Sequence, residues 1–325
     1  MSAGPAVPAP APAVPGPVKR WVLGARPRTL PAALVPVLVG TAAAHHLHRG
    51  PASSPLLDDS WWLALGALAV ALAIQVATNY ANDYSDGIRG TDDARVGPVR
   101  LVATGLASPK AVKRAAFIAF GIGGVVGLGL AWATSWWILL VGAACLAAGW
   151  FYTGGPRPYG YAGLGEAFVF VFFGLVATVG TFYVQTGRLD LVVVWLAAVA
   201  VGLLATALLL ANNLRDIDTD ATTGKRTLAV RVGRRRAGFL YVGSVLVPFA
   251  GVLVWGVVSI SGAVASVRPG IAFLPLAALP LAAPPIGLVT SEAAGRALLP
   301  VLAATGRLQL IFGVLLSVAL WLWIA

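Results

Sequence analysis

The 325-residue chain is poor in what a water-facing surface is made of. Charged residues make up 11% of it and only 12 are acidic, whereas about 25% of a soluble domain is charged. Its one cysteine, Cys145, lies inside an apolar run, which excludes an intramolecular disulfide framework and a Cys-cluster metal site. The only histidines, His45, His46 and His48, fall in a single short stretch away from the acids, where a solvated helix end explains them better than a metal site. A charged leader is missing as well. Met1 to Val18 alternate Ala, Pro and Gly with neither a basic start nor an apolar core, which is the pattern of a disordered, partly polyproline-like tail and not of a signal peptide. The folded domain is therefore expected over residues 19–325.

What is present in quantity is apolar. Hydrophobic residues are 58% of the chain and the mean hydropathy is +0.85. Crossing about 30 Å of hydrocarbon takes about 20 apolar residues at 1.5 Å each. Nine such segments can be drawn, near 29–47, 61–82, 112–133, 136–152, 163–185, 191–214, 237–260, 271–290 and 308–325. The pattern predicts an all-α, polytopic membrane bundle of about nine helices. The fourth and ninth segments are short, the third and fourth are joined by a tight hairpin at Thr134 and Ser135, and four prolines predict a kink in the eighth. With nine spans, all the Lys and Arg residues except Arg49, Arg188 and Arg268 fall on one side. Basic residues gather at cytoplasmic helix ends, so a cytoplasmic N-terminus and an external C-terminus in the cell membrane are expected. The net charge of +11 then records membrane insertion and calls for no nucleic acid. Trp61, Trp62, Trp136, Trp137, Trp321 and Trp323 form the opposite, external belt.

The scarce acids are concentrated. Asp83, Asp86, Asp92 and Asp93, then Asp216, Asp218 and Asp220, are seven of the 12. If the second span continues to its end, Asn79, Asn82, Asp83 and Asp86 stand at i, i+3, i+4 and i+7 and share a helix face. Asp216 and Asp220 are i and i+4 at the end of the sixth span. Crowded carboxylates resist joint ionisation unless a cation intervenes, and carboxylate with amide oxygen suits Mg²⁺. Neighbouring Lys225, Arg226 and Arg215 imply an anionic ligand. Mg²⁺, carboxylates and basic side chains together describe a diphosphate site. A secondary transporter also places acids within spans, but typically near the midplane, whereas both clusters here close helices on the same side.

The stretches ANDYSDGIRGTDDARVGPVRLVATG and NNLRDIDTDATTGKRTLAVRVG resemble the two aspartate-rich motifs of the UbiA superfamily of intramembrane aromatic prenyltransferases. RPRTLPAALVPVLVG from Arg26, the Gln75 to Asn79 spacing and FYTGGPRPYGYAGLGE from Phe151 agree, and the likeness runs from Trp21 onward. Within the superfamily the chain is most similar to the 1,4-dihydroxy-2-naphthoate branch. Where the general pattern carries a last aspartate this chain has Gly90, with Asp92 two residues on, an arrangement that branch shares.

The resemblance implies a UbiA-type bundle that transfers a polyprenyl group from polyprenyl diphosphate to 1,4-dihydroxy-2-naphthoate in menaquinone biosynthesis, with loss of CO₂. The alternative acceptor is another aromatic acid such as 4-hydroxybenzoate. Asp83, Asp86, Asp92, Asp216 and Asp220 would hold Mg²⁺. Lys225 would assist catalysis, and Gln75, Asn79, Asn82, Asn213, Arg215, Arg226, Tyr152 and Tyr161 would contact substrate. Arg26 and Arg28 reach either the site or the interface. Glu166 faces the cavity or pairs with Arg157.

Overall fold

A computed structural model describes residues 15–48, 61–91, 99–262 and 268–323. Among them the chain is helical and has no strand. The expected tail lies almost wholly outside the described residues, and Pro17 and Val18 at its end already begin a short helix, α1 (Pro17–Gly24). The remaining elements are α2 (Pro31–His48), α3 (Trp61–Ile88), α4 (Pro109–Ala133), α5 (Ile138–Phe151), α6 (Gly165–Thr186), α7 (Val192–Arg215), the short α8 (Ile217–Thr222) and α9 (Leu228–Val232), α10 (Arg234–Ile260), α11 (Gly270–Thr290) and α12 (Gly295–Trp323).

Each of the nine expected segments is one of these helices. Seven (α3, α4, α6, α7, α10, α11 and α12) are long and apolar enough to cross a membrane, and the pair Pro17–Thr29 and Pro31–His45, bent by 53°, makes an eighth. The fourth segment, α5, has 14 residues, about 21 Å of helix, too short to cross the hydrocarbon unaided. The protein is thus a multi-pass membrane protein. Its outer surface agrees: Val125, Trp132 and Leu140 are 72%, 79% and 77% exposed, an arrangement lipid favours and water does not.

Local chemistry explains the boundaries. Ser108 caps α4 by accepting the Ala111 N–H, with Pro109 in the first turn, where its missing N–H costs nothing. The α4–α5 link is the expected tight hairpin, and the Thr134 hydroxyl bonds back to the Leu130 carbonyl at 2.7 Å. Two expectations need correction. The proline-rich segment does not run as a kinked α-helix: residues Pro269–Ala282 wind as a 3₁₀ helix and become α-helical from Ala283. The 3₁₀ winding is one of the adjustments by which a membrane helix accommodates the N–H groups its prolines remove. The last helix begins at Gly295 and not near 308, because Arg307 does not interrupt it; its side chain stays exposed on the helix surface.

Packing divides the bundle in two. A large core is drawn from α2, α6, α7, α10, α11 and α12, with Val35, Phe182, Leu204, Tyr241 and Phe312 at its centre. A smaller one joins α3 and α4 through Ala77, Leu101, Ala116 and Phe120. Inside α6, residues Phe170–Val176 are π-helical, and here α6 meets α7 backbone to backbone. A Cβ on Gly174 would lie 2.4 Å from the Gly202 Cα, so only glycine permits this approach. Between the two cores a cavity of about 930 Å³ remains open.

Candidate active site

The cavity has an apolar body and a polar end. Ala71, Ile74, Leu146, Phe168, Phe172, Val176 and Leu209 line the body. Asn82, Asp86, Arg100, Tyr161, Arg215, Asp220 and Lys225 gather at the end, where α3 and α7 finish. The acid clusters therefore meet across one chamber, as their placement at two helix ends predicts.

The cavity-lining polar residues of α3 are Thr78 and, carrying amide or carboxylate oxygens, the four Gln75, Asn79, Asn82 and Asp86. At about 100° per residue these four fall within about 60° of one another around the axis, while Asp83 lies about 40° beyond Asn79 on the other flank. Asp83 does not line the cavity. Fully buried, it accepts the Leu101 and Val102 N–H groups at 2.8 and 3.0 Å. The side chain expected to hold metal instead pins the loop that delivers Arg100.

Asp86 is the centre of the polar end. Its Oδ2 lies 3.0 Å from Lys225 Nζ and 3.7 Å from Arg100 Nη2, and its Oδ1 accepts the Tyr161 hydroxyl at 2.6 Å. Burial, with Asp86 beside it, pushes the Tyr161 phenol far above its usual range, so it remains a proton donor to the carboxylate. The Tyr161 ring also faces Lys225 at 4.9 Å and Arg89 at 5.4 Å. Asn82 accepts the Thr153 hydroxyl at 2.7 Å. Gln75 and Asn79 both donate to the Thr29 hydroxyl, at 2.9 and 3.0 Å, and Asn79 also donates to the Ala25 carbonyl at 2.9 Å. These bonds tie the segment after α1 to the wall.

The second cluster is broken by a helix end. α7 stops at Arg215, and Asp216 has left the helical region (φ −95°, ψ 6°). Arg215 clamps it with two bonds of 2.6 Å from Nε and Nη2. Asp216 therefore does not line the cavity, whereas Asp220, one turn on in α8, does. Arg215 Nη1 is buried without a hydrogen-bond partner among the described residues. Arg226 is exposed and lies outside the lining: the extended link after α8 turns Lys225 in and Arg226 out, while the Arg226 N–H bonds the Tyr161 carbonyl at 3.0 Å. Asn213 lines the cavity and donates to Glu166 at 2.9 Å. Glu166 is thus buried behind Asn213, not paired with Arg157. Tyr152 lines the wall. Asp92 lies outside the described residues, as do the side chains of His46 and His48. His45, at the far end of α2, stacks on Trp321 at 3.4 Å and plays no part at the cavity.

Among the wall residues that sequence reasoning missed, three stand out. Arg100 closes the basic loop after the first cluster, and its proximity to those acids was the available signal. Asn212 was hidden beside Asn213. Thr29 carried no signal, because its role depends on a fold-back of the chain before α2.

Among the described residues no three His, Cys, Asp or Glu side chains cluster as a metal centre. Mg²⁺ is typically held by one or two carboxylates together with substrate phosphates and not by an all-protein cage. Asp86 and Asp220 are the carboxylates that line this end, and Asn82 and Asn212 line it too, their amide oxygens accepting from Thr153 and Arg215.

A model of the UbiA prenyltransferase family matches residues 33–285. The chain is 50% identical over 304 residues to the 1,4-dihydroxy-2-naphthoate octaprenyltransferase of Mycobacterium tuberculosis, covering 93% of this chain and 96% of that one. It is 38% identical over 244 residues to the Escherichia coli enzyme of the same name, covering 70% and 74%. Among solved structures, a UbiA homolog from Archaeoglobus fulgidus bound to GPP and Mg²⁺ superposes with a TM-score of 0.60 at 16% identity, over 93% of this chain and 99% of that chain.

Proposed function

We propose that this chain, which belongs to the UbiA prenyltransferase family, transfers a polyprenyl group from polyprenyl diphosphate to 1,4-dihydroxy-2-naphthoate, releasing diphosphate and CO₂. The observation that carries the reading is one chamber with two chemistries. A polar end holds Asp86, Asp220, Lys225, Arg100 and Arg215, and a long apolar body continues from it. Relatives named for this reaction share the sequence over most of its length.

The diphosphate enters the polar end. Asp86 and Asp220, with Asn82 beside them, would hold Mg²⁺, which would supply Lewis-acid stabilisation of charge on the diphosphate oxygens. Lys225 and Arg100 flank Asp86 at 3.0 and 3.7 Å, placed to donate to a diphosphate seated beside that carboxylate. Arg215 offers its unpartnered Nη1 to the same group. Together these donors stabilise the charge that develops as the prenyl carbon–oxygen bond breaks. Tyr161 holds Asp86 in place and turns its π face toward the cationic region. The allylic fragment is destroyed by water, and the apolar body of Phe168, Phe172 and Val176 excludes water from it. The ring carbon of the acceptor attacks the allylic carbon, and the carboxyl carbon leaves as CO₂ with its electron pair returned to the ring. The polyprenyl tail occupies the apolar body. The basic side chains around the site face the cytoplasm, with the N-terminus on that side and the C-terminus outside.

Purified protein offered a polyprenyl diphosphate with either 1,4-dihydroxy-2-naphthoate or 4-hydroxybenzoate tests the reading. Prenylated naphthoquinol is the expected product; turnover of hydroxybenzoate alone overturns it.

A further inference from the structure

Five cations line the cavity: Arg26, Arg28, Arg100, Arg215 and Lys225. Lys225 and Arg100 face Asp86, Arg215 clamps Asp216, and Arg28 is exposed to solvent or headgroups. Arg100 and Arg215 each keep one buried nitrogen without a hydrogen-bond partner among the described residues, whereas Arg26 keeps two. Its Nε and Nη2 are buried with no hydrogen-bond partner among the described residues. Its backbone is left-handed, with φ 53°, the one such non-glycine conformation among those residues. Strained backbone of this kind persists where surrounding structure enforces it and gathers at ligand sites. The enforcing contacts are visible, since Asn79 grips the Ala25 carbonyl and both Gln75 and Asn79 grip Thr29.

These contacts root Arg26 at the Gln75–Asn79 level of α3. Asp86 is seven residues further along, about 10 Å at 1.5 Å per residue. The chamber therefore carries a second cationic position, rooted about two helical turns from the diphosphate end. Gln75, whose Nε2 bonds the Thr29 hydroxyl three residues from Arg26, has its Oε1 buried with no hydrogen-bond partner among the described residues. A guanidinium with two buried, unpartnered nitrogens is stabilised by an anion with matching planar geometry, and a carboxylate takes two of its N–H donors at once. The Gln75 oxygen seeks a donor. An aromatic carboxylate with a hydroxyl on the adjacent ring carbon offers both, an acceptor pair and one O–H.

We propose that Arg26 and Gln75 form the subsite for the acceptor, holding the carboxylate of an ortho-hydroxy aromatic acid through Arg26 and its hydroxyl through Gln75. The inference rests on the proposed function and assigns the half of the site that the diphosphate does not use.

The test is binding without turnover. Wild type, Arg26→Gln and Arg26→Lys, each saturated with a non-reacting prenyl thiodiphosphate, are titrated with 1-hydroxy-2-naphthoate and with 1-naphthol, following naphthol fluorescence. Wild type is expected to prefer the carboxylated ligand by at least about tenfold, since a site built around a polar group rejects the analogue that lacks it. Arg26→Gln should reduce that preference to less than about twofold, and Arg26→Lys, which keeps the charge and loses the fork, should fall between. Thiodiphosphate affinity, measured separately, should change little in both variants. No carboxylate preference in wild type, an undiminished one in Arg26→Gln, or a loss confined to thiodiphosphate would each overturn the subsite. If Arg26→Gln fails to bind thiodiphosphate through misfolding, Arg26→Lys decides, because an unchanged preference there contradicts the bidentate contact. Wild-type turnover of 1,4-dihydroxy-2-naphthoate is assayed beside it. Turnover without a carboxylate preference removes the subsite and leaves the reaction; absence of turnover removes the reaction itself.

Discussion

At the scale of single residues, two aspartates that look alike in sequence have different work. Asp86 lines the chamber among Lys225, Arg100 and Tyr161, while Asp83 holds the 99–102 loop through two backbone amides. Asp86→Asn and Asp220→Asn should each lower kcat by at least about a hundredfold with membrane insertion intact, on the scale of losing one charge-stabilising group from a site. Steady-state rates on purified variants check this. Asp83→Ala strands one buried and one partly buried N–H donor, at about 1–3 kcal/mol for the buried one, so its main effect should be a lowered Tm. A fully stable, inactive Asp83→Ala would return that residue to metal binding. Tyr161 yields a pH prediction. Its raised pKa stabilises the protonated phenol in the folded protein, and that contribution is present below the ordinary value of about 10 and lost only as pH climbs through the folded value. Wild-type activity should therefore show no loss from Tyr161 ionisation below about pH 10, and Tyr161→Phe should lower the rate without changing the profile's alkaline limb in that range. Helical spacing placed four oxygens on α3 in the sequence reading. It could not rank them, because the 40° between Asn79 and Asp83 matters only once the partner helices and the loop from Leu101 are in place. Lys225 and Arg226 posed the same problem, since adjacent residues of an extended link face opposite ways.

At the scale of elements, what was legible followed from hydropathy and what was not followed from contact between helices. All nine apolar segments are helices, with edges mostly within a few residues of those expected. The 3₁₀ winding through Pro275 and Pro280 and the π-helical stretch of α6 left no periodic signal, because both depend on how neighbours satisfy the backbone. The α6–α7 approach gives a direct test. Gly174→Ala drives a methyl into Gly202 backbone and should destabilise by about 1–3 kcal/mol. Gly180→Ala, with nothing within 4 Å of the new methyl, should stabilise by up to about 1 kcal/mol. Thermal unfolding in one detergent compares the pair, and equal Tm values would contradict the close packing.

At the scale of the whole molecule, two packed groups of helices leave a chamber open between them, and the acid-bearing ends of α3 and α7 close it on one side. The resemblance carried by the two motifs had already pointed to that arrangement. The inner geometry, including the turn of Asp216 away from the cavity and the anchoring of Arg26, was not visible in it. The asymmetry of basic residues predicts orientation, and a reporter fused after Ala325 should respond only from outside the cell; a cytoplasmic signal would invert the topology.

On the proposed reading, Asp86 and Asp220 would hold the Mg²⁺ that stabilises the departing diphosphate at the polar end, while in the dry body of the chamber an acidic aromatic is alkylated and loses its carboxylate. Acceptor labelled in its carboxyl carbon and supplied with polyprenyl diphosphate to protein in nanodiscs measures this most directly. The expected result is labelled CO₂ and diphosphate released in equal amounts, both abolished by EDTA and restored by Mg²⁺. Diphosphate release without CO₂, or release undiminished by EDTA, would contradict it.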